Sequence, residues 1–157
     1  EARAYKDIVK NLRYLRLASS ETIKKSKKEK IFRKYIRYPH DEVKWEALQR
    51  LIPGEMTSQD VKTVFSQVFS EPHPKSIAYS MKLFAQEKDP KIKDLINHSL
   101  YGLITRGGVY PALQAVDNID NVLDDNNRRY FEQALYEIEK QKISARLHAS
   151  LKKKLEP

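Results

Sequence analysis

The chain has 157 residues, the length of one compact domain, and 40% of them are apolar, enough to build a hydrophobic core. Thirty Lys and Arg stand against 21 Asp and Glu, a net charge of +9, so an acidic substrate or nucleic acid joins the candidate partners. The lack of cysteine excludes disulfides, thiolate metal sites, iron–sulfur clusters and cysteine nucleophiles, and no apolar run reaches the ~18 residues of a membrane-spanning helix, so a soluble chain is expected.

Helical periodicity dominates from the first residues, which contain no signal-peptide core. Tyr5, Ile8, Leu12 and Leu15 repeat at three and four residues and form one apolar stripe, with Lys6, Lys10, Arg13 and Arg16 on other faces. This helix is expected to end near Ser19 and Ser20. A second helix, capped by Ser20 or its neighbour, carries Lys24, Lys25, Lys27, Lys28 and Lys30, partly buries Ile23, Ile31, Phe32, Tyr35 and Ile36, and closes at Tyr38 and Pro39.

His40 and Asp41 open a short third helix with Val43, Ala47, Leu48 and Leu51 on one face, widened by Trp45 and Ile52; Pro53 and Gly54 break it. Thr57 with Asp60 three residues on has the form of a capping box. Behind it, Val61, Val64, Phe65, Val68 and Phe69 give the cleanest amphipathic repeat in the chain.

Pro72, His73 and Pro74 end that repeat, and Pro74 suits the first turn of a helix facing inward with Ile77, Ala78, Met81, Phe84 and Ala85. Asp89 and Pro90 supply a cap and first-turn proline for the next, whose stripe of Ile92, Leu95, Ile96, Leu100, Leu103 and Ile104 runs to Gly107 and Gly108. Pro111 is read as starting a short turn through Leu113 and Val116. From Asp120 a longer helix is expected, with Leu123, Tyr130, Phe131, Ala134, Leu135 and Ile138 inward. Ile143, Leu147, Leu151 and Leu155 then make a basic last helix whose spacing by fours predicts a lopsided or frayed core contact.

The charge divides unevenly along these elements. Residues 1–39 hold 13 basic and four acidic side chains, residues 40–139 hold 11 and 16, and residues 140–157 hold six and one. One all-helical domain is expected, with basic N-terminal helices at 1–39, a repeat-like body at 40–139 and a basic C-terminal helix at 140–157. Its architecture is read as stacked antiparallel helix pairs forming a short α-solenoid, with an irregular helical bundle as the alternative.

Asp41-Glu42-Val43-Lys44-Trp45-Glu46-Ala47-Leu48 resembles the HEAT-repeat helix pattern of an acidic cap, an aliphatic residue, a basic residue and an Ala-Leu pair. Asp89-Pro90-Lys91-Ile92-Lys93 resembles the same opening, and Pro74-Lys75-Ser76-Ile77-Ala78 is a looser version. The resemblance covers roughly 40–105 and departs from one register, because Val43 and Ile77 are 34 residues apart but Ile77 and Ile92 only 15. It implies a curved helical scaffold that binds proteins or, less often, nucleic acids, and it implies no catalytic residues.

Chemistry-bearing motifs are sparse. His40, His73, His98 and His148 are scattered with no HxxxH or HxxE pair, and His40 and His73 stand beside prolines where capping is common. Asp117, Asp120, Asp124 and Asp125 lack the glycine and terminal Glu of a calcium loop, and the surrounding Asn118, Asn121, Asn126 and Asn127 read as turn chemistry. No Gly-x-Ser-x-Gly occurs, and Gly107-Gly108 has no Lys-Ser/Thr behind it to hold phosphate.

The expectation is therefore a protein without catalytic residues, metal or cofactor that binds a protein or peptide partner. The alternative is binding of nucleic acid or an anionic surface through Lys24, Lys25, Lys27, Lys28, Lys30, Arg33, Lys34 and Arg37, with Tyr35 and Tyr38 available for stacking. Such binding is backbone-directed and salt-sensitive, since lysine reads sequence poorly.

Overall fold

The computed structural model describes residues 2–18, 25–37, 40–50, 56–70 and 73–157, with side chains at all of these except 2–5, 7, 18, 25–29 and 32. The described residues form nine α-helices and one 3-10 turn, with no strand among them, so the protein is all-α. None of these helices is long and apolar enough to cross a membrane. Packing divides the chain into two compact units, Glu1–Ile52 and Pro53–Pro157.

The first unit holds α1 (Ala2–Ala18), α2 (Lys25–Ile36) and α3 (Asp41–Arg50), each packed on the other two. Its core follows the expected stripes: Leu15 from α1, Ile31, Tyr35 and Ile36 from α2, and Val43, Ala47 and Leu48 from α3 are buried. Tyr35 ties α2 to α1, because its hydroxyl donates to Asn11 Oδ1 at 2.9 Å and its ring meets Tyr14 edge-on at 6.2 Å. The expected closure at Tyr38 and Pro39 and the inward roles of Ile23, Leu51 and Ile52 lie outside the described residues.

The second unit opens with α4 (Ser58–Gln67), where both bonds of the capping box form: Asp60 N–H donates to Thr57 Oγ1 at 3.1 Å and Thr57 N–H to Asp60 Oδ2 at 2.9 Å. Val61, Val64, Val68 and Phe69 are buried. α5 (Pro74–Ala85) is capped by His73, whose Nδ1 accepts the Lys75 N–H at 3.2 Å. Its buried face is displaced from the expected one: Ser76, Ser80 and Leu83 join Ile77, Met81 and Phe84 inside, while Ala78 is half-buried and Ala85 exposed. Phe65, Phe69 and Phe84 stack nearly parallel, with centroids 4.7 to 6.4 Å apart, and bind α4 to α5.

α6 (Pro90–Arg106) starts on the Asp89 cap, which accepts the Lys91 N–H at 3.0 Å. The stretch after Gly107 is not the turn expected from Pro111 but a helix, α7 (Val109–Asp117), with Ala112, Ala115 and Val116 buried. Pro111 falls in its first turn, where a helix has no use for the missing N–H. Gly108 enters α7 at φ 96°, a conformation that favours glycine.

The next helix does not begin at Asp120. Ile119–Asn121 is a 3-10 turn, and Asp124 then folds the chain back by accepting the Asn126 and Asn127 N–H groups, both at 2.9 Å. A short polar side chain that satisfies these donors locally competes with helix formation. So α8 spans Arg128–Gln141 and leaves Leu123 outside it. It ends in a Schellman arrangement: Lys142 takes φ 52°, its N–H donates to Glu139 O, and Ile143 N–H donates to Ile138 O.

Ile143 consequently precedes α9 (Ala145–Leu155), which is capped by Ser144. Contrary to the expectation of a lopsided contact, Leu147, Leu151 and Leu155 are all buried. Spacing by fours drifts about 80° over three leucines, within the apolar arc of a surface helix.

The helices of this unit pack in two rows. α4 lies on α6 and α6 on α8, while α5 lies on α7 and α7 on α9; α6 also pairs with α7, and α8 with α9. Lys154 of α9 reaches back to Asp117 O, at the last residue of α7, at 3.4 Å and to Asp120 Oδ2, just beyond it, at 2.5 Å.

Candidate functional site

A wide concavity lies in the basic first unit. The inner stripe of α1 buries Leu15 and half-buries Ile8 and Leu12, which leaves Lys6, Lys10, Arg13, Tyr14 and Leu17 on other faces at helical spacing. Alongside, α2 contributes Lys34 and Tyr35. Between them runs an open groove of about 730 Å³.

Its floor is apolar and aromatic. Val9, Tyr14 and Leu17 come from α1, and the ring of Tyr35, fixed by its bond to Asn11, comes from α2. Leu17 is 68% exposed and Tyr14 44%, large surfaces for side chains of this kind to leave in water. The rim is cationic on both sides: Lys6, Lys10 and Arg13 stand along α1, and Lys34 stands on α2 with its Nζ 5.7 Å from the Tyr35 ring centroid. No described carboxylate lines the groove.

The eight cations singled out from the sequence do not act as one run. Lys24 lies outside the described residues, and the side chains of Lys25, Lys27 and Lys28 are likewise undescribed. Lys30, Lys34 and Arg37 are exposed and Arg33 is half-buried. At 100° per residue, Lys30, Arg33, Lys34 and Arg37 share one face of α2, with Lys27 at the same register, opposite Ile31, Tyr35 and Ile36. Lys25 and Lys28 fall at register positions on the other side. Of the four whose side chains are described, Lys34 alone lines the groove.

Lys6, Lys10, Arg13 and Leu17 were not singled out as a set. The available signal is Leu17, which falls off the stripe of Ile8, Leu12 and Leu15 and in register with the three cations.

Of the remaining candidates, three histidines and two aspartates are engaged in structure. His73 caps α5, His98 meets the Tyr130 ring edge-on at 5.2 Å, and His148 Nε2 lies 3.7 Å from Glu139. In the acidic stretch, Asp120 pairs with Lys154 and Asp124 builds its turn while Lys93 approaches at 4.0 Å. Among the described residues no three His, Asp or Glu side chains converge as metal ligands.

A small polar crevice of about 180 Å³ sits against this turn. Its wall is the buried Asn127, which donates to Asn97 Oδ1 at 3.2 Å and Val122 O at 2.7 Å and accepts the Asp124 N–H at 2.8 Å. All of these bonds are internal and hold the loop on α6.

Comparison with protein-family models, with curated proteins and with solved structures found no match.

Proposed function

We propose that this protein is a non-catalytic, HEAT-like helical scaffold that holds a protein or peptide partner. The observation that carries this reading is the two-row packing of α4 to α9, in which most helices take their principal partners from those one and two places along the chain, α5 also packing on the 3-10 turn Ile119–Asn121. Repeat proteins are built this way: each helix pair buries its remaining face on the next, and the stack presents an extended surface for binding. The HEAT-like openings at Pro74 and Asp89 begin α5 and α6 of this unit, whereas the Asp41 opening begins α3 of the other. The repeat reading therefore attaches to residues 53–157.

Site-specific photo-crosslinking tests it in the cells that make the protein. A photoreactive residue replaces exposed Lys82, Tyr110 or Ala149 on the α5, α7 and α9 row, or exposed Lys62, His98 or Gln133 on the α4, α6 and α8 row. One protein crosslinking at consecutive helices of a single row is the expected result. Crosslinks scattered over both rows, or none to protein, would discard the scaffold.

A second reading, binding of nucleic acid or an anionic surface, is favoured by the shared face of Lys30, Arg33, Lys34 and Arg37. The first unit carries 15 Lys and Arg against seven Asp and Glu, so nearly all of the net charge resides there. Replacing Lys30, Lys34 and Arg37 with Gln is expected to weaken binding to single-stranded oligonucleotide and to flatten its salt dependence. Absence of binding at low salt removes this reading.

A further inference from the structure

We infer that the groove between α1 and α2 is the docking site for an acidic amphipathic helix of a partner protein. The inference goes beyond the scaffold reading, which attaches to residues 53–157, and names the kind of segment that the first unit binds. Three features of the groove select this occupant.

The first is length. Lys6 and Leu17 are eleven positions apart on α1, about 16 Å at 1.5 Å per residue, which matches three turns of a helix lying alongside. The second is the order of chemistry across the groove. A helix with an apolar stripe flanked by carboxylates places its stripe on Leu17, Tyr14 and Tyr35 and its flanks against Arg13 and Lys10 on one side and Lys34 on the other.

The third is the floor itself. A polynucleotide gains from the cations but sets phosphate against aliphatic side chains, where its lost hydration is not replaced. It also finds the Tyr35 ring buried and held by Asn11, unable to swing out and stack. An apolar side chain has the opposite preference and removes Leu17 from water. The surrounding charge adds selectivity and speeds encounter with an acidic segment, while the apolar contacts set how long it stays.

The test uses the full chain and a fluorescent synthetic helical peptide of about three turns, with Leu and Phe on one face and Glu flanking them, against a scrambled peptide of the same composition. Fluorescence anisotropy is expected to give binding to the ordered peptide that is roughly tenfold tighter than to the scrambled one, about 1.4 kcal/mol. Leu17→Ser, alone and with Tyr14→Ser, is expected to lose about tenfold; Leu17 is 68% exposed and carries little of the fold, so the single variant keeps its circular dichroism, whereas Tyr14 also meets Tyr35 edge-on. Lys10→Glu with Arg13→Glu, and separately Lys34→Glu, probe the two sides of the rim and are each expected to weaken binding severalfold.

Equal affinity for ordered and scrambled peptides overturns the inference, as does wild-type affinity in the Leu17 and Tyr14 variant. So does stronger binding to phosphatidylserine vesicles or a single-stranded oligonucleotide, tested on the same protein, than to the ordered peptide. If the peptide fails while row crosslinks persist, the groove assignment is lost and the scaffold stands. If the peptide binds and row crosslinks are absent, the groove is the binding site and the scaffold reading is lost.

Discussion

Glu87 and Met56 lie 31 residues apart, yet the buried carboxylate of the first accepts the backbone N–H of the second at 3.3 Å. The other carboxylate oxygen accepts the Lys88 and Asp89 N–H groups, both at 3.1 Å. One side chain thus serves the start of α4 and the link into α6 together. Glu87→Ala leaves these buried donors without their acceptor and is expected to cost about 1–3 kcal/mol in urea unfolding. Glu87→Gln keeps one carbonyl acceptor and is expected to cost less; equal stability of all three proteins contradicts the assignment.

The turn before α8 depends on Asn127 in a similar way. Alanine there removes two donated bonds and one accepted bond in a buried setting and strands the Asn97 carbonyl oxygen and the Val122 carbonyl. A loss of about 2 kcal/mol is expected, read as a lowered melting temperature. Hydrogen exchange should locate the faster opening at residues 122–128.

Lys142 supplies the contrary case, a position where the native residue is not the best one. Its left-handed backbone ends α8 and carries a penalty of about 1 kcal/mol for any side chain with a Cβ. Lys142→Gly removes that penalty and gives some back to the unfolded chain's greater freedom. A net gain of about 0.5 kcal/mol is expected from the denaturation midpoint.

The stacked phenylalanines set the largest single contribution open to test. Phe84 is buried against Phe65 and Phe69, and Phe84→Ala is expected to cost about 3–5 kcal/mol through lost contact and the cavity left behind. Phe84→Leu fills part of that space and should retain cooperative unfolding at a lower midpoint. An alanine variant within 1 kcal/mol of the native protein, on the scale of exposed substitutions, contradicts this packing.

The features legible in the sequence are those decided locally. Thr57 with Asp60, and Asp89 with Pro90, define helix starts because the groups that cap them are neighbours in the chain. The inward stripe of α4 was equally plain, since one periodicity controls it. α7 was missed because Pro111 breaks a helix only where its N–H is needed, and that depends on where the helix begins. The start of α8 was misplaced because the Asp124 side chain redirects a backbone whose apolar spacing still looks helical.

The groove was harder to see for a different reason. Lys6, Lys10, Arg13 and Leu17 become one wall of a groove only once α2 has packed beside α1, and a run of lysines elsewhere stands out more in the linear sequence. Glu87 carries no sequence signal at all: its burial is set by the chain that returns past it at Met56.

The rows of α4 to α9 also bear on how the second unit comes into being. Because most principal packing partners are one or two helices apart, the segments that must meet are close along the chain, which keeps loop-closure entropy small and favours fast folding. Each helix can dock on its predecessors as soon as it leaves the ribosome, without waiting for a distant strand or terminus. Within this row α9 packs on α7 with its leucines buried and Lys154 on Asp120, so even the ion pair that pins it joins segments only 34 residues apart.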